Sequence, residues 1–189
     1  MKEIRWHGRG GQGAKTVSQV LAQINLREGK YVQAFPEFGP ERSGAPIRAY
    51  NRISDEEIRV HSAVYSPDIA VVVDESLLTA EKPIEGLHPN GTLVVNTSCS
   101  AEEIRRRTGF KGRVVVVDAD RIGREAGTGF ANIPMLGAVA AVLGTAWNLV
   151  EEEVRRTMGE RISNEMLDKN IAALRVAYET AKKEVARGH

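Results

Sequence analysis

The chain has 189 residues, of which 42% are hydrophobic and 27% are charged, so it can form an ordinary core. Its 26 basic and 25 acidic side chains leave a net charge of +1, which argues against a nucleic-acid coat protein and against an acidic disordered tail. No apolar run reaches the roughly 18 residues that span a bilayer, and the first residues lack the apolar stretch of a secretory signal. We therefore expect a cytoplasmic protein that binds neither nucleic acid nor membrane.

Metal-binding residue types are scarce in this chain. Cys99 is its only cysteine, so it cannot form an internal disulfide, an iron–sulfur cluster or a structural zinc site. The histidines lack the spacing of metal ligands, and His7 has no visible carboxylate partner for acid–base work. We expect no metal site here, and any redox metal would lie on a partner.

Short apolar runs alternate with helix-like segments, which predicts an α/β fold with one domain over residues 1–189. Runs typical of strands lie at 2–7, 31–35, 69–73, 93–95 and 114–117. Helices are predicted after the glycine-rich residues 8–13, near Ser100, over 134–147, near Asn148 and over 164–185. Residues 46–60 have the pattern of an antiparallel hairpin, so the sheet is predicted to be mixed.

The first chemical signal is the run Gly8-Arg9-Gly10-Gly11-Gln12-Gly13, which fits the pattern G-x-G-x-x-G between a strand and a helix. Glycines at such a junction let backbone N–H groups approach a phosphate at the positive end of the helix dipole. The loop therefore predicts a phosphate-bearing ligand, and the alternative is a tight turn that binds nothing.

The loop alone does not identify that ligand. A dinucleotide-binding fold would place an acid at the end of the second strand to hold the ribose, but Pro36 interrupts that strand and Arg42 follows Glu37 closely. The loop of nucleoside triphosphatases requires lysine where this chain has Ala14. Neither NAD nor ATP is well supported.

A second segment, FPEFGPERSGAP at residues 35–46, is rich in proline and glycine. Such rigid loops often carry function, although this one could also serve only to plug the core. Arg42 could pair with a phosphate, and Ser43 could donate a hydrogen bond. Residues 1–52 contain nine basic and four acidic side chains, which fits an anionic ligand near the two loops or an acidic partner subunit.

Together with Pro67-Asp68 and with Asn132 and residues 135–138, these segments resemble the gamma subunit of 2-oxoacid:ferredoxin oxidoreductases. The resemblance covers about residues 4–180. The wording of residues 35–46 is most similar to the pyruvate type, and relatives that act on branched-chain 2-oxoacids stay open.

The resemblance implies a three-layer α/β/α fold around a mixed sheet. It implies an enzyme that oxidatively decarboxylates pyruvate to acetyl-CoA and passes electrons through iron–sulfur clusters to ferredoxin. Thiamine diphosphate, magnesium and the clusters would lie on partner subunits, called alpha, beta and delta. This subunit would bind coenzyme A and present its thiol to the thiamine-bound intermediate, with no catalytic residue of its own and no activity alone.

The resemblance also implies which residues contact coenzyme A. They are Gly10, Gly11, Gln12, Gly13, Ala14, Arg42, Ser43, Asn96 and Asn132. Arg42 would meet the phosphates, and the two asparagines would meet the amides of the pantetheine arm. The plainer roles are a turn residue for Asn96 and a helix cap for Asn132.

Two other functions stay open at this point. One is a stand-alone oxidoreductase that binds NAD(P) at the glycine loop. The other is a purely structural subunit whose loop grips the backbone of a neighbour.

Overall fold

The computed structural model describes residues 1–37 and 43–187, which form six strands and seven helices. Strands β1 to β6 span, in order, Lys2–Arg9, Tyr31–Pro36, Pro46–Ser54, Ile69–Val72, Thr92–Asn96 and Arg113–Val117. Helices α1 to α7 span, in order, Ala14–Arg27, Leu77–Ala80, Ala101–Thr108, Ala119–Glu125, Asn132–Leu143, Trp147–Met158 and Asn164–Arg187. The predicted α/β class is confirmed.

All six strands belong to one mixed sheet with the order β2-β3-β1-β4-β5-β6. Strands β1, β4, β5 and β6 are parallel, whereas β3 is antiparallel to both β1 and β2. The carboxyl ends of the four parallel strands therefore lie along one edge of the sheet, where ligands of open α/β sheets bind.

Helices cover the sheet unequally, and together they make the predicted three layers. Helices α1 and α4 to α7 pack on one face, against alternate residues of β1 such as Ile4 and Trp6. Helices α2 and α3 pack on the opposite face, against Val72 of β4 and Leu93 of β5. Strands β4, β5 and β6 are largely apolar because both of their faces are buried.

No helix covers the second face of β1 and β3 within the described ranges, and two buried arginines lie there instead. Arg5 donates to the carbonyl oxygens of Tyr65, Pro83 and Glu85 at 3.5, 3.0 and 2.5 Å. Arg52 donates to carbonyls of the coil 60–63, the closest being Ser62 at 2.7 Å, and it pairs with Glu3 at 2.7 Å. These contacts hold coil over the sheet where a helix would otherwise lie.

Three predicted elements were wrong in detail. Residues 46–60 are not a hairpin, because β3 already pairs with a strand on each side and leaves residues 57–61 no free edge of β3 to pair with. The helix predicted over 134–147 is two helices, because Gly144 adopts a left-handed φ of 76° and ends α5. Helix α6 then begins at Trp147, so Asn148 lies inside it and does not cap it.

Candidate functional site

The glycine loop joins the carboxyl end of β1 to the start of α1. Gly11 and Gly13 have φ values of 93° and 76°, a region that residues with a Cβ rarely adopt. A Cβ added at Gly13 would also overlap the side-chain nitrogen of Asn132. The loop therefore needs glycine at residue 13 both for its backbone conformation and for the close approach of α5.

The amino ends of α1 and α5 meet at this contact. Helix α1 follows Gly13 and α5 follows Ala131; in neither does a side chain cap the helix, and neither first turn contains an acid. A helix amino end carries unsatisfied N–H groups and a partial positive charge. Two such ends that meet without an acid favour an anion at this point.

Side chains of the neighbouring strand end hold the loop in shape. Gln12 Oε1 accepts from the backbone N–H of Arg9 at 2.8 Å, and Gln12 Nε2 donates to Asp74 Oδ2 at 2.8 Å. Arg9 Nε lies 3.3 Å from the same Asp74 oxygen, and Arg9 also donates to Ser76 Oγ at 2.7 Å. The amide of Gln12 is thus used to stiffen the loop.

The structure brings the end of the second segment against the glycine loop. Gly10 N donates to Ala45 O at 2.8 Å, and Gly44 N donates to Gly10 O at 3.0 Å. Ser43 is exposed directly beside this pair of bonds. Arg42 lies outside the described residues, so its predicted role stays a prediction.

The two asparagines differ in their surroundings. Asn132 is half-buried and lies over Gly13, at the meeting point of the two helices. Asn96 is buried, and its Nδ2 donates to Val73 O at 2.8 Å and to Asp120 Oδ2 at 3.0 Å. Its Oδ1 accepts from the backbone N–H groups of Ala119 and Asp120. These bonds tie β4, β5 and α4 together, and they give Asn96 a structural role.

A cavity of about 290 Å³ lies beside the loop, and two of its lining residues escaped the sequence analysis as site residues. The first is Asp74, which accepts from Gln12 of the loop. Phe130, which is 64% exposed, was not considered. The available signals were the position of Asp74 just beyond an apolar strand and of Phe130 between Gly129 and the start of α5.

Burial raises the pKa of Asp74, but hydrogen bonds from Ser76 and Gln12 and the charge of Arg9 outweigh this and lower its pKa below the usual range. The carboxylate is therefore ionised when it holds Gln12. Because Asp74 puts a fixed negative charge against Gln12 and Arg9, a phosphate is disfavoured on that side of the loop.

His7 lies immediately before the loop but is unsuited to proton transfer. Its Nε2 accepts from Arg5 Nε at 3.0 Å, and its buried Nδ1 has no hydrogen-bond partner among the described residues. Burial, together with the charges of Arg5 and Arg48, lowers the pKa of His7 to about 3. The imidazole is neutral near pH 7 and packs as part of the fold.

Neither a metal site nor a membrane span is found in the part of the chain that the structure describes. No three histidine, cysteine or acidic side chains come together as ligands of one ion. None of the described helices is both long and apolar enough to cross a bilayer.

Residues 3–180 match the model of the pyruvate ferredoxin/flavodoxin oxidoreductase family. The chain belongs to this family. Across 95% of its length it is 51% identical to pyruvate synthase subunit PorC of Thermotoga maritima, of which it covers 94%. Over the same share it is 44% identical to the common gamma subunit of the pyruvate/ketoisovalerate oxidoreductases of Pyrococcus furiosus, of which it covers 96%.

Solved structures agree with this assignment. The crystal structure of pyruvate oxidoreductase subunit PORC from Thermotoga maritima matches 94% of this chain and 95% of its own, with 48% identity and a TM-score of 0.83. The fold also occupies 31% of a chain of 2-oxoglutarate:ferredoxin oxidoreductase from Magnetococcus marinus, which covers 96% of this chain with a TM-score of 0.77. At 20% identity the latter likeness shows the fold alone.

The resemblance found in the sequence is therefore confirmed. Because the relatives are matched over nearly their whole length, this chain corresponds to one subunit of a multi-subunit oxidoreductase.

Proposed function

We propose that the chain is the gamma subunit of a pyruvate:ferredoxin oxidoreductase and that it binds coenzyme A at the glycine loop. The observation that carries the proposal is the meeting of two uncapped helix amino ends at Gly13 and Asn132. Coenzyme A bears a diphosphate and a 3′-phosphate, and uncapped N–H groups are suitable partners for them. The enzyme from Magnetococcus marinus, a chain of which contains the same fold, was solved with coenzyme A bound.

The residues of the site take separate roles in this proposal. Backbone N–H groups at Gly11, Gly13 and Ala14 approach the phosphates, and Gly10, whose N–H donates to Ala45 O, lines the loop beside them. Gln12 keeps the loop in shape through its bonds to Arg9 and Asp74.

The other proposed contacts surround this loop. Ser43 and Arg42 close the site from the second segment, and Asn132 offers its amide to the ligand. Asn96 supports the site indirectly, because its amide is already used to join β4, β5 and α4.

The contribution of this subunit to the reaction is positional. Thiamine diphosphate and magnesium, on a partner subunit, supply the decarboxylation chemistry, and iron–sulfur clusters on partners carry the electrons to ferredoxin. The single cysteine of this chain agrees with clusters elsewhere. By holding coenzyme A, the loop converts a bimolecular encounter of its thiol into an intramolecular one. The partners are the alpha, beta and delta subunits of a cytoplasmic complex.

The sheet order argues against the alternative of an NAD(P) oxidoreductase. In a dinucleotide-binding fold the strand that carries the ribose-binding acid is the neighbour of β1. Here β3 lies between β1 and β2, so Glu37 at the end of β2 is two strands away from the glycine loop. Glu37 also lies 3.6 Å from the guanidinium of Arg48, which neutralises it.

Calorimetric titration of the chain with coenzyme A, with NADH and ATP as controls, tests the proposal. We expect saturable binding of coenzyme A alone. Binding of NADH alone would instead support the dinucleotide alternative. If none of the three binds, the titration is repeated on the assembled complex, with and without a substitution at Gly13. If the substitution leaves coenzyme A binding by the complex unchanged, the remaining function is that of a structural assembly subunit.

A further inference from the structure

A second, larger cavity lies away from the glycine loop. It is a groove of about 910 Å³ that follows the outer edge of β6. Its floor is formed by residues of β6, including Val114 and Val116. One wall is the start of α3, at Ala101 and Arg105, and the other is formed by the carboxyl ends of α5 and α7.

The backbone of β6 is unpaired along this groove. Among the described strands, β6 pairs only with β5. Arg113 N donates to Gly91 O at 3.2 Å, and Val117 O accepts from Thr97 N at 3.1 Å, so both residues direct their backbone groups towards β5. Because alternate residues of a parallel strand bond to the same neighbour, Val114 and Val116 direct theirs into the groove.

Nothing in the sequence of β6 protects this edge. Proteins commonly block an exposed edge with proline, a central lysine or an inward charge. The edge at β2 ends in Pro36, whereas residues 114–117 of β6 are four consecutive valines. A strand of this composition with an open edge is a template for pairing with another extended segment.

The charges around the groove indicate what that segment contains. Three basic residues line the groove: Lys2, Lys111 and Arg113. None of them forms an ion pair among residues 1–37 and 43–187. The acids on the walls are already engaged: Glu102 pairs with Arg105 at 3.9 Å, and Glu184 pairs with Arg187 at 2.8 Å. Asp68 also lines the groove without an ion pair among the described residues, and it accepts from Glu3 N at 2.8 Å, so the unpaired charge at the groove is net positive.

We propose that an extended, acidic segment of another subunit of the complex adds to the edge of β6 as a seventh strand. Its backbone would bond to the outward N–H and C=O groups of Val114 and Val116. Its carboxylates would meet Lys111 and Arg113, and its apolar side chains would lie between α3 and α7. The proposal relies on the chain being a subunit of a complex, and it is independent of coenzyme A binding.

Two variants test the proposal, one through the backbone of β6 and one through the charge of the groove. Each is co-expressed with the other subunits, and assembly is measured by native mass spectrometry. Val116→Pro removes one outward N–H, and an edge strand tolerates proline where its N–H faces away from the sheet. Val116→Thr keeps the N–H and is the matched control. Lys111→Glu together with Arg113→Glu reverses the charge of the groove and leaves the backbone intact.

We expect Val116→Pro and the charge reversal each to weaken assembly at least about ten-fold, and Val116→Thr to assemble like the unaltered chain. Thermal unfolding and coenzyme A titration of the isolated variants check that each one is folded and that its ligand site is intact. If Val116→Pro does not fold, the charge reversal alone decides.

Normal assembly of both variants would overturn the proposal. It would also be overturned if the isolated chain is a dimer that Val116→Pro dissociates, since the edge would then belong to a second copy. If the unaltered chain does not bind coenzyme A, the proposed function is contradicted, but the result on assembly at β6 still stands.

Discussion

The amino ends of the helices fall into two groups. Helix α3 is capped by Ser100, whose Oγ accepts from Glu103 N at 3.2 Å, and α4 is capped by Asp118, whose Oδ1 accepts from Arg121 N at 3.0 Å. Both have acids in the first turn, whereas α1 and α5 have neither caps nor acids. Capped ends stabilise the fold. Helices α2 and α6 also lack a cap and a first-turn acid, but α1 and α5 are the pair whose uncapped amino ends meet, at Gly13 and Asn132.

The largest expected effect comes from separating the two uncapped ends. Gly13→Val puts a side chain where Asn132 lies and where φ is 76°. We expect coenzyme A binding to fall by about a hundred-fold or more, which corresponds to about 3 kcal/mol. The measurement is the Michaelis constant for coenzyme A in the assembled enzyme, together with titration of the isolated variant.

Gly109→Val is the matched control for this variant. Gly109 ends α3 with a φ of 71° and has open space around it, so it carries the backbone strain without the overlap. Both variants should lose about 1–2 kcal/mol of stability from the left-handed backbone, and only Gly13→Val should lose binding. Equal affinities of the two variants would mean that the glycine loop is only a turn.

His7 separates stability from ligand binding, because it lies next to the glycine loop and yet should affect only stability. Its folded pKa of about 3 is below its unfolded value of 6.5, so below pH 6.5 the unfolded chain takes up a proton that the folded chain refuses. The free energy of unfolding should therefore fall by about 2 kcal/mol between pH 7.5 and pH 5. Urea unfolding at the two pH values measures it.

His7→Gln removes the titrating group and keeps an acceptor for Arg5. We expect the loss of stability between pH 7.5 and pH 5 to shrink by most of that amount in this variant. An unchanged loss would show that other groups cause it, and a change in coenzyme A affinity would place His7 in the ligand site.

Asn132→Asp puts an acid into the first turn of α5, which has none. A carboxylate there would interact favourably with the dipoles of α1 and α5 and raise the free energy of unfolding by about 0.5–1 kcal/mol. It would also repel the phosphates, and we expect coenzyme A to bind roughly ten-fold more weakly. Stability and affinity thus move in opposite directions. If both increase, the anion does not bind at this junction.

Ser100→Ala should give the smallest effect, and this effect should fall on stability and not on coenzyme A binding. Loss of the cap of α3 should lower the free energy of unfolding by about 1 kcal/mol and leave the Michaelis constant for coenzyme A unchanged. Denaturant unfolding and steady-state kinetics on the same preparation measure both. A change in the Michaelis constant would mean that the capped and uncapped ends are not functionally separate.

Much of the fold follows from patterns in the sequence. The parallel strands were predictable because burial on both faces requires unbroken apolar runs, as at residues 69–73 and 114–117. The short helices α2 and α4 were not predicted, because four and seven residues hold too little periodicity to be noticed. The prediction of a hairpin over 46–60 was wrong because whether β3 has a free edge depends on the order of strands in the whole sheet, which a local pattern does not show.

The site was less predictable than the fold. The pattern of residues 8–13 predicted a glycine loop between a strand and a helix from local spacing alone, and phosphate binding by this loop stays a prediction. The approach of Asn132 to Gly13 joins residues far apart in the chain, and only the resemblance to a family placed them together. The bonds of Asn96 and Gln12 depend on which strand ends are neighbours, which the amino-acid pattern does not encode.

The buried guanidinium groups of Arg5 and Arg52 donate mainly to main-chain carbonyls of the coil that covers the sheet. A carbonyl oxygen is the same whichever amino acid bears it. The coil can therefore exchange most of its side chains without losing its attachment, provided that the two arginines stay. Residues 55–59, exposed or nearly so between the end of β3 and the first of these carbonyls at Val60, form a natural site for inserting an epitope or a spectroscopic label.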